Sequence, residues 1–280
     1  MKIFVNNINI AFSKYGKGFP ILLLHGYPQT KLMWRKIIPL LSKHYTVITA
    51  DLRGYGDSDK PASKANHSTY SKREMAKDQM LLMKKLGYSE FFCIGHDRGA
   101  RVFHRAALDY PKMVKKLVLI DIVPTPHIYK NLNKNISESF FHWFLLSRKK
   151  PLPENLINNN KEYYIKSMLG RLSNTNQFLE KKVIDTYIKK FSKKSIIASC
   201  EDYRAGASID LIHHKKDTKK IDCPTLVLWG KNSLVGKNFE PLNVWKSYVK
   251  NLSGKALEGG HYLPEEKPYQ VANQILNFLE

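Results

Sequence analysis

The chain has 280 residues, a formal net charge of +22 from 46 basic and 24 acidic residues, and three cysteines. No apolar run approaches the roughly 18 residues of a membrane span. No leader-like hydrophobic stretch opens the chain, and three scattered cysteines (Cys93, Cys200, Cys223) suit a reducing cytoplasm rather than a disulfide framework.

A surplus of positive charge favours anionic partners. Here the lysines are dispersed among many Asn, Ile and Tyr residues, and no arginine-rich arm or basic helix stands out. The surplus therefore reads as compositional. A small anion is the expected partner, with no specific nucleic acid and no membrane.

In chain order, Lys2 to Phe19 reads as a hairpin turning at Gly16-Lys17-Gly18. A buried strand, Ile21 to Leu24, ends in His25-Gly26-Tyr27-Pro28, and a helix follows over Lys31 to Ser42. The next strand, Thr46 to Leu52, runs into Arg53-Gly54-Tyr55-Gly56-Asp57-Ser58. Ser71 caps a helix that continues to Lys85, with Glu74 placed to complete a capping box. Its apolar face is Met75, Met80, Leu82, Met83 and Leu86. A strand at Phe91 to Gly95 meets a helix beginning near Arg98, and another strand spans Lys116 to Val123. From Pro124 to Thr218 only helical segments are predicted. Strand and helix alternation resumes at Thr225 to Gly230, followed by a helix near Pro241 to Val249, a short strand at Lys255 to Leu257 and a last helix from Pro268.

Strands alternating with helices predict an α/β fold with a mostly parallel sheet covered on both faces. The predicted core is 1–123 with 219–280, and residues 124–218 form a helical cap inserted after the strand ending near Ile122. Ligands of such sheets bind at the carboxyl ends of the strands.

Gly95-His96-Asp97-Arg98-Gly99 lies between a strand and a helix. It has the spacing of the Gly-x-Ser-x-Gly nucleophile elbow, with Asp in place of Ser. Alone, the string would equally serve as a helix cap. His25-Gly26-x-Pro upstream and Gly259-Gly260-His261 downstream place it in a catalytic order. A carboxylate is already ionised at neutral pH. It attacks a saturated carbon directly and forms an ester on the enzyme's own side chain. His261 is the predicted general base for water attacking that ester. The backbone N–H groups of Tyr27 and Arg98 are the predicted oxyanion hole.

A base histidine needs a carboxylate at its other nitrogen. The segment after Leu228-Trp229-Gly230 carries none, so Asp121 is the predicted partner and Asp222 the weaker alternative. Arg98 and Arg101, three residues apart on the first turn of a helix, are read as a clamp for a substrate carboxylate. The competing reading pairs one of them with Asp57, Asp78 or Asp109.

The segments His25 to Thr30, Asp51 to Ser58, His96 to Arg101, Cys200-Glu201-Asp202-Tyr203-Arg204-Ala205 and Gly259 to Pro264 together resemble those of fluoroacetate (haloacetate) dehalogenases of the α/β-hydrolase superfamily. The double-arginine elbow and the Glu-Asp-Tyr-Arg-Ala segment carry that resemblance most specifically. It implies an α/β-hydrolase fold, a halide pocket made by His142, Trp143 and Tyr203, a homodimer, and no metal or organic cofactor. The implied reaction converts a haloacetate and water to glycolate and halide. An epoxide hydrolase would use the same nucleophile with a pair of cap tyrosines, Tyr203 with Tyr163 or Tyr164. A ligand sensor on a hydrolase scaffold would bind without turnover. His25, His104, His127, His213 and His214 receive no role.

Overall fold

The computed structural model describes residues 1–173 and 178–280. Its described residues contain an eight-stranded sheet in the order β1-β2-β4-β3-β5-β6-β7-β8. The strands are β1 (Lys2–Val5), β2 (Ile8–Tyr15), β3 (Pro20–Leu24), β4 (Thr46–Ala50), β5 (Phe91–His96), β6 (Val114–Ile120), β7 (Thr225–Gly230) and β8 (Leu252–Leu257). The pairings β1·β2 and β2·β4 are antiparallel. The remaining pairings are parallel.

Successive side chains on a strand face opposite ways, so a strand covered on both faces must be apolar throughout. β3 obeys this rule: Leu22 and Leu24 join one core cluster, Ile21 and Leu23 the other. β6 repeats it with Leu117 and Leu119 against Val118 and Ile120. The first cluster takes in Met75, Met83, Val102 and Phe103, from the helices Lys72–Lys85 and Arg98–Asp109. The second takes in Trp34, Val271 and Ile275, the last two from the terminal helix Pro268–Leu279. β8, at the sheet edge, alternates between partly buried and exposed positions before Leu257.

Three local expectations are corrected. The first hairpin turns at Asn6 and Asn7, with φ of 47° and 63°. These are the paired left-handed positions of a two-residue hairpin turn, which Asn tolerates. Gly16 to Gly18 instead carries the chain past the end of β4, from β2 to β3. A Cβ on Gly16 would lie 2.4 Å from the carbonyl oxygens of Ser42 and Tyr45. At the second helix, Ser71 Oγ accepts from the Glu74 amide at 3.2 Å, but the Glu74 carboxylate accepts from Asn6 Nδ2 at 2.8 Å. Only half of the capping box forms. β6 ends at Ile120, because Asp121 adopts a φ of 54° and breaks the strand.

Between β6 and β7 the described residues form helices and no strand; residues 174–177 of that stretch lie outside the description. Two of these helices, Phe141–Leu146 and Lys193–Gly206, place residues near the carboxyl ends of β5 and β6. No helix among the described residues is long and apolar enough to cross a membrane.

Candidate active site

The turn from β5 into the helix Arg98–Asp109 passes through Asp97, with φ 44° and ψ −111°. Non-glycine residues rarely adopt this conformation, and it projects the side chain at the top of the sheet. The flanking glycines allow it sterically. A Cβ on Gly99 would lie 2.4 Å from the Leu24 carbonyl oxygen, and one on Gly95 would lie 2.5 Å from the Ala100 nitrogen. Asp97 Oδ2 accepts a hydrogen bond from the Tyr27 amide at 3.0 Å. Burial alone would raise the pKa of its carboxyl, but His261, Arg101, Arg98 and His96 pull it well below the usual carboxylate range. Asp97 is therefore ionised at neutral pH.

The fold brings Asp121 and His261 together, with the His261 Nδ1–H donating to Asp121 Oδ2 at 2.6 Å. Asp121 Oδ1 accepts from the Gly230 amide at 3.0 Å, which fixes the carboxylate on β7. Asp222 lies elsewhere, in an exposed ion pair with Lys250. Burial disfavours the charged imidazole of His261, but the Asp121 hydrogen bond and charge, then Asp97 and Glu266, raise its pKa above the ordinary value. One contributor had no assigned role: His96, whose Nε2 donates to the His261 carbonyl at 2.8 Å. Burial, then the nearby His261, hold the His96 imidazole down to about 3, so it stays neutral.

Asp97, Asp121 and His261 line a small cavity with free volume of about 20 Å³. Arg101, His142 and Trp143 line it too, with Phe140, Leu172, Leu234 and Val235 as apolar walls. Nothing in the local sequence marks those four, which converge from distant segments. Arg101 Nη1 donates to the Val123 carbonyl and to Thr125 Oγ1, both at 2.9 Å. Its guanidinium lies 4.6 Å from the Trp143 ring, and its buried Nε has no partner among the described residues. Burial lowers its pKa to about 10, with Asp97 opposing, so it remains a cation at neutral pH.

Arg98 is paired differently. It does not line the cavity; its Nε donates to Asp202 Oδ2 at 2.9 Å and its Nη2 to the Asp202 carbonyl at 3.0 Å and to Oδ1. Lys72 Nζ and Tyr55 Oη donate to the same carboxylate. Asp57, Asp78 and Asp109 pair with other cations: Lys190, Arg53, and Arg73 with Arg105. Removing one member of a buried ion network leaves uncompensated charge, at a cost of about 3–5 kcal/mol. Asp202→Ala should therefore lower the urea midpoint by a corresponding amount, whereas an unchanged midpoint would remove Asp202 from the stabilising contacts.

Tyr203 follows Asp202 on the helix Lys193–Gly206, and its ring lies 4.2 Å from the Arg98 guanidinium. It packs edge-on against His142 and Trp143, at centroid distances of 5.8 and 6.1 Å. Its buried hydroxyl has no partner among the described residues. Burial, then the Asp97 charge, raise the Tyr203 pKa and keep it a proton donor. Tyr163 is 77% exposed. Tyr164 shares a hydrogen bond of 3.1 Å with Tyr27 Oη. His25 accepts from the Leu52 amide at 3.0 Å through Nε2 and bonds to the Gly26 carbonyl through Nδ1, a structural arrangement.

A parallel sheet with a strained strand-to-helix elbow, an ionised side chain at its tip and an Asp-His pair beside it defines a class of hydrolase. The family model for the α/β-hydrolase fold matches residues 20–268. The chain belongs to the α/β-hydrolase family. Among its relatives, a fluoroacetate dehalogenase from Burkholderia sp is 36% identical, over 98% of this chain and 91% of its own length. A soluble epoxide hydrolase from Corynebacterium sp. (strain C12) is 31% identical, over 98% and 94%. The solved structure of ALR0039 from Nostoc sp PCC 7120, described only as an α/β hydrolase, superimposes with a TM-score of 0.98. It is 47% identical, with 100% of this chain and 97% of that one covered.

Proposed function

We propose that the protein hydrolyses short 2-haloacids, with residues 124–218 as the cap over the site. The observation that carries this reading is that Asp97 and Arg101 line one small cavity, with free volume of about 20 Å³. Such a space suits a substrate of few atoms, and a buried guanidinium beside the nucleophile suits a carboxylate on it. The 36% identical fluoroacetate dehalogenase supports the same choice.

Arg101 holds the substrate carboxylate. Arg98, instead of forming the second arm of the clamp, fixes Asp202 and thereby Tyr203, and adds positive charge. With Oδ2 of Asp97 held by the Tyr27 amide, Oδ1 attacks the α-carbon. The new C–O bond forms as the carbon–halogen bond breaks, and the electron pair leaves with the halide. Trp143, His142 and Tyr203 donate to that developing anion. His261 then removes a proton from water, whose oxygen attacks the ester carbonyl. The Tyr27 and Arg98 amides hold the oxyanion; on collapse the ester C–O bond breaks, the leaving oxygen of glycolate takes the proton from His261, and the regenerated Asp97 carboxyl loses the remaining water proton to solvent.

The electrostatics favour this sequence. The Asp97 charge is one of the influences that keep the proton on His261. Esterification removes that charge, so His261 becomes a free base when water must be activated. Deacylation slows as pH falls through the His261 pKa of the ester, because a protonated imidazole accepts no proton. Asp97→Asn mimics the neutral ester. Its His261 should titrate at lower pH than in wild type by NMR; an equal or higher value would contradict the coupling.

The epoxide reading needs two phenols over the nucleophile. Tyr203 is near enough to Asp97 for that charge to raise its pKa, but Tyr163 is exposed and Tyr164 is bonded to Tyr27. Chloroacetate and styrene oxide assayed side by side test the choice. Chloride release without diol formation is expected, and diol formation without chloride release would reverse it. A fluoride electrode with fluoroacetate then reports whether C–F bonds are cleaved. Multiple turnover on either substrate excludes a non-catalytic sensor.

A further inference from the structure

A second, much larger cleft, of about 680 Å³, opens further along the helix Arg98–Asp109, beside His104 and Leu108. It lies where the chain leaves β6 and returns toward β7, between the helices Thr125–Lys130 and Ile209–Lys215 and the segment 217–220. Its volume falls in the range of about 300–1,000 Å³ typical of organic ligand sites. The catalytic chemistry uses none of it. Tyr129 lines this cleft and Trp143 lines the catalytic cavity, with their rings 5.8 Å apart, so the two spaces stand on opposite sides of one aromatic wall.

The lining has two characters. Tyr129, Tyr248, Leu108, Leu211 and Pro126 make an apolar wall that includes two aromatic rings. Lys130, Lys215, Lys219 and Lys220 bring positive charge to the same space. Asp217 is the carboxylate on this wall, and both its oxygens accept from Arg105 Nη1, at 2.9 and 2.7 Å. Its charge is thus already matched, and the lysines leave a net positive rim. A further observation is His104, a cleft residue only 2% exposed, whose ring lies 5.0 Å from those of His214 and Trp245. Its buried Nε2 has no hydrogen-bond partner among the described residues. A buried polar atom without a partner is costly and rare unless a ligand or water completes it.

We propose that this cleft is a second ligand site, built for a planar aromatic anion whose ring packs on Tyr129, Tyr248 and Leu211 and whose charge sits among Lys215, Lys219 and Lys220. Such a molecule is too large for the catalytic cavity, so it is neither substrate nor product of the reaction there. Lysines at the rim select for the charge, and apolar walls select for the ring.

The test is isothermal titration with 2-naphthoate as probe. Wild type should bind it saturably at one site. The exposed pair Lys219→Glu/Lys220→Glu, with an unchanged circular dichroism spectrum, should weaken it about tenfold or more, since four units of charge are altered at the rim. The uncharged 2-naphthylmethanol should bind at least about tenfold more weakly than naphthoate for the same electrostatic reason. Asp97→Asn should leave naphthoate binding unchanged. Absence of saturation, equal binding by the charge-reversed pair or by the alcohol, or tighter binding by Asp97→Asn would overturn the proposal. The last outcome would locate the probe beside the nucleophile. None of these readouts depends on the substrate of the catalytic site.

Discussion

Asp97→Asn is expected to reduce chloroacetate turnover by about 10⁴-fold or more, the scale seen when a covalent nucleophile is removed. The substitution keeps size and shape, and the side-chain oxygen of Asn can still accept from the Tyr27 amide. Asn also tolerates left-handed backbone better than most residues, and Asp97 sits at a φ of 44°. The variant should fold with wild-type stability, which separates chemistry from structure. What it lacks is the negative charge that His261, Arg101 and Arg98 stabilise in the native side chain. A neutral amide displaces halide far more slowly. Halide release by the folded variant at more than a few per cent of wild type would mean that another group attacks carbon.

Arg101→Leu should lower kcat/KM by about 10²–10³-fold, a loss that combines charge-assisted binding with orientation of the reacting carbon. Arg101 has a buried Nε without a partner and a guanidinium over Trp143. Leucine removes the charge and keeps much of the contact with the ring. KM should rise and kcat should fall, because a poorly held haloacid seldom presents its back side to Oδ1. Arg101→Lys should recover part of the binding and little of the alignment, since an ammonium lacks the fork geometry. Arg98→Leu should behave differently. It strips Asp202 of three hydrogen bonds, so its main effect should be on stability in urea. If Arg98→Leu instead raised KM at unchanged stability while Arg101→Leu did not, the assignment of the two guanidinium groups would be exchanged.

The features legible in the sequence are those set by neighbours in the chain. Gly95 and Gly99 around Asp97 specify a turn because steric conflict at those positions is local. The buried strands announce themselves because both faces must be apolar, as Leu22 and Leu24 against Ile21 and Leu23 illustrate. Asp121 was reachable by elimination, since the segment after Gly230 has no carboxylate. Features made by packing were not legible. The partner of Arg98 is Asp202, 104 residues away on a helix between β6 and β7. No spacing rule on the elbow could separate its role from that of Arg101. Glu74 has the right offset for a capping box, yet Asn6, 68 residues away, holds its carboxylate. The apolar cavity walls at Leu172, Leu234 and Val235 belong to segments that meet only after folding.

In the proposed reaction Asp97 becomes covalently bonded to the substrate, and His261 is needed only to release it. Intact-mass and peptide mass spectrometry of His261→Asn incubated with chloroacetate addresses both halves at once. The protein should gain one carboxymethyl group, located on Asp97, which persists because water is no longer activated. Recovery of unmodified protein, under conditions where wild type releases chloride, would contradict it.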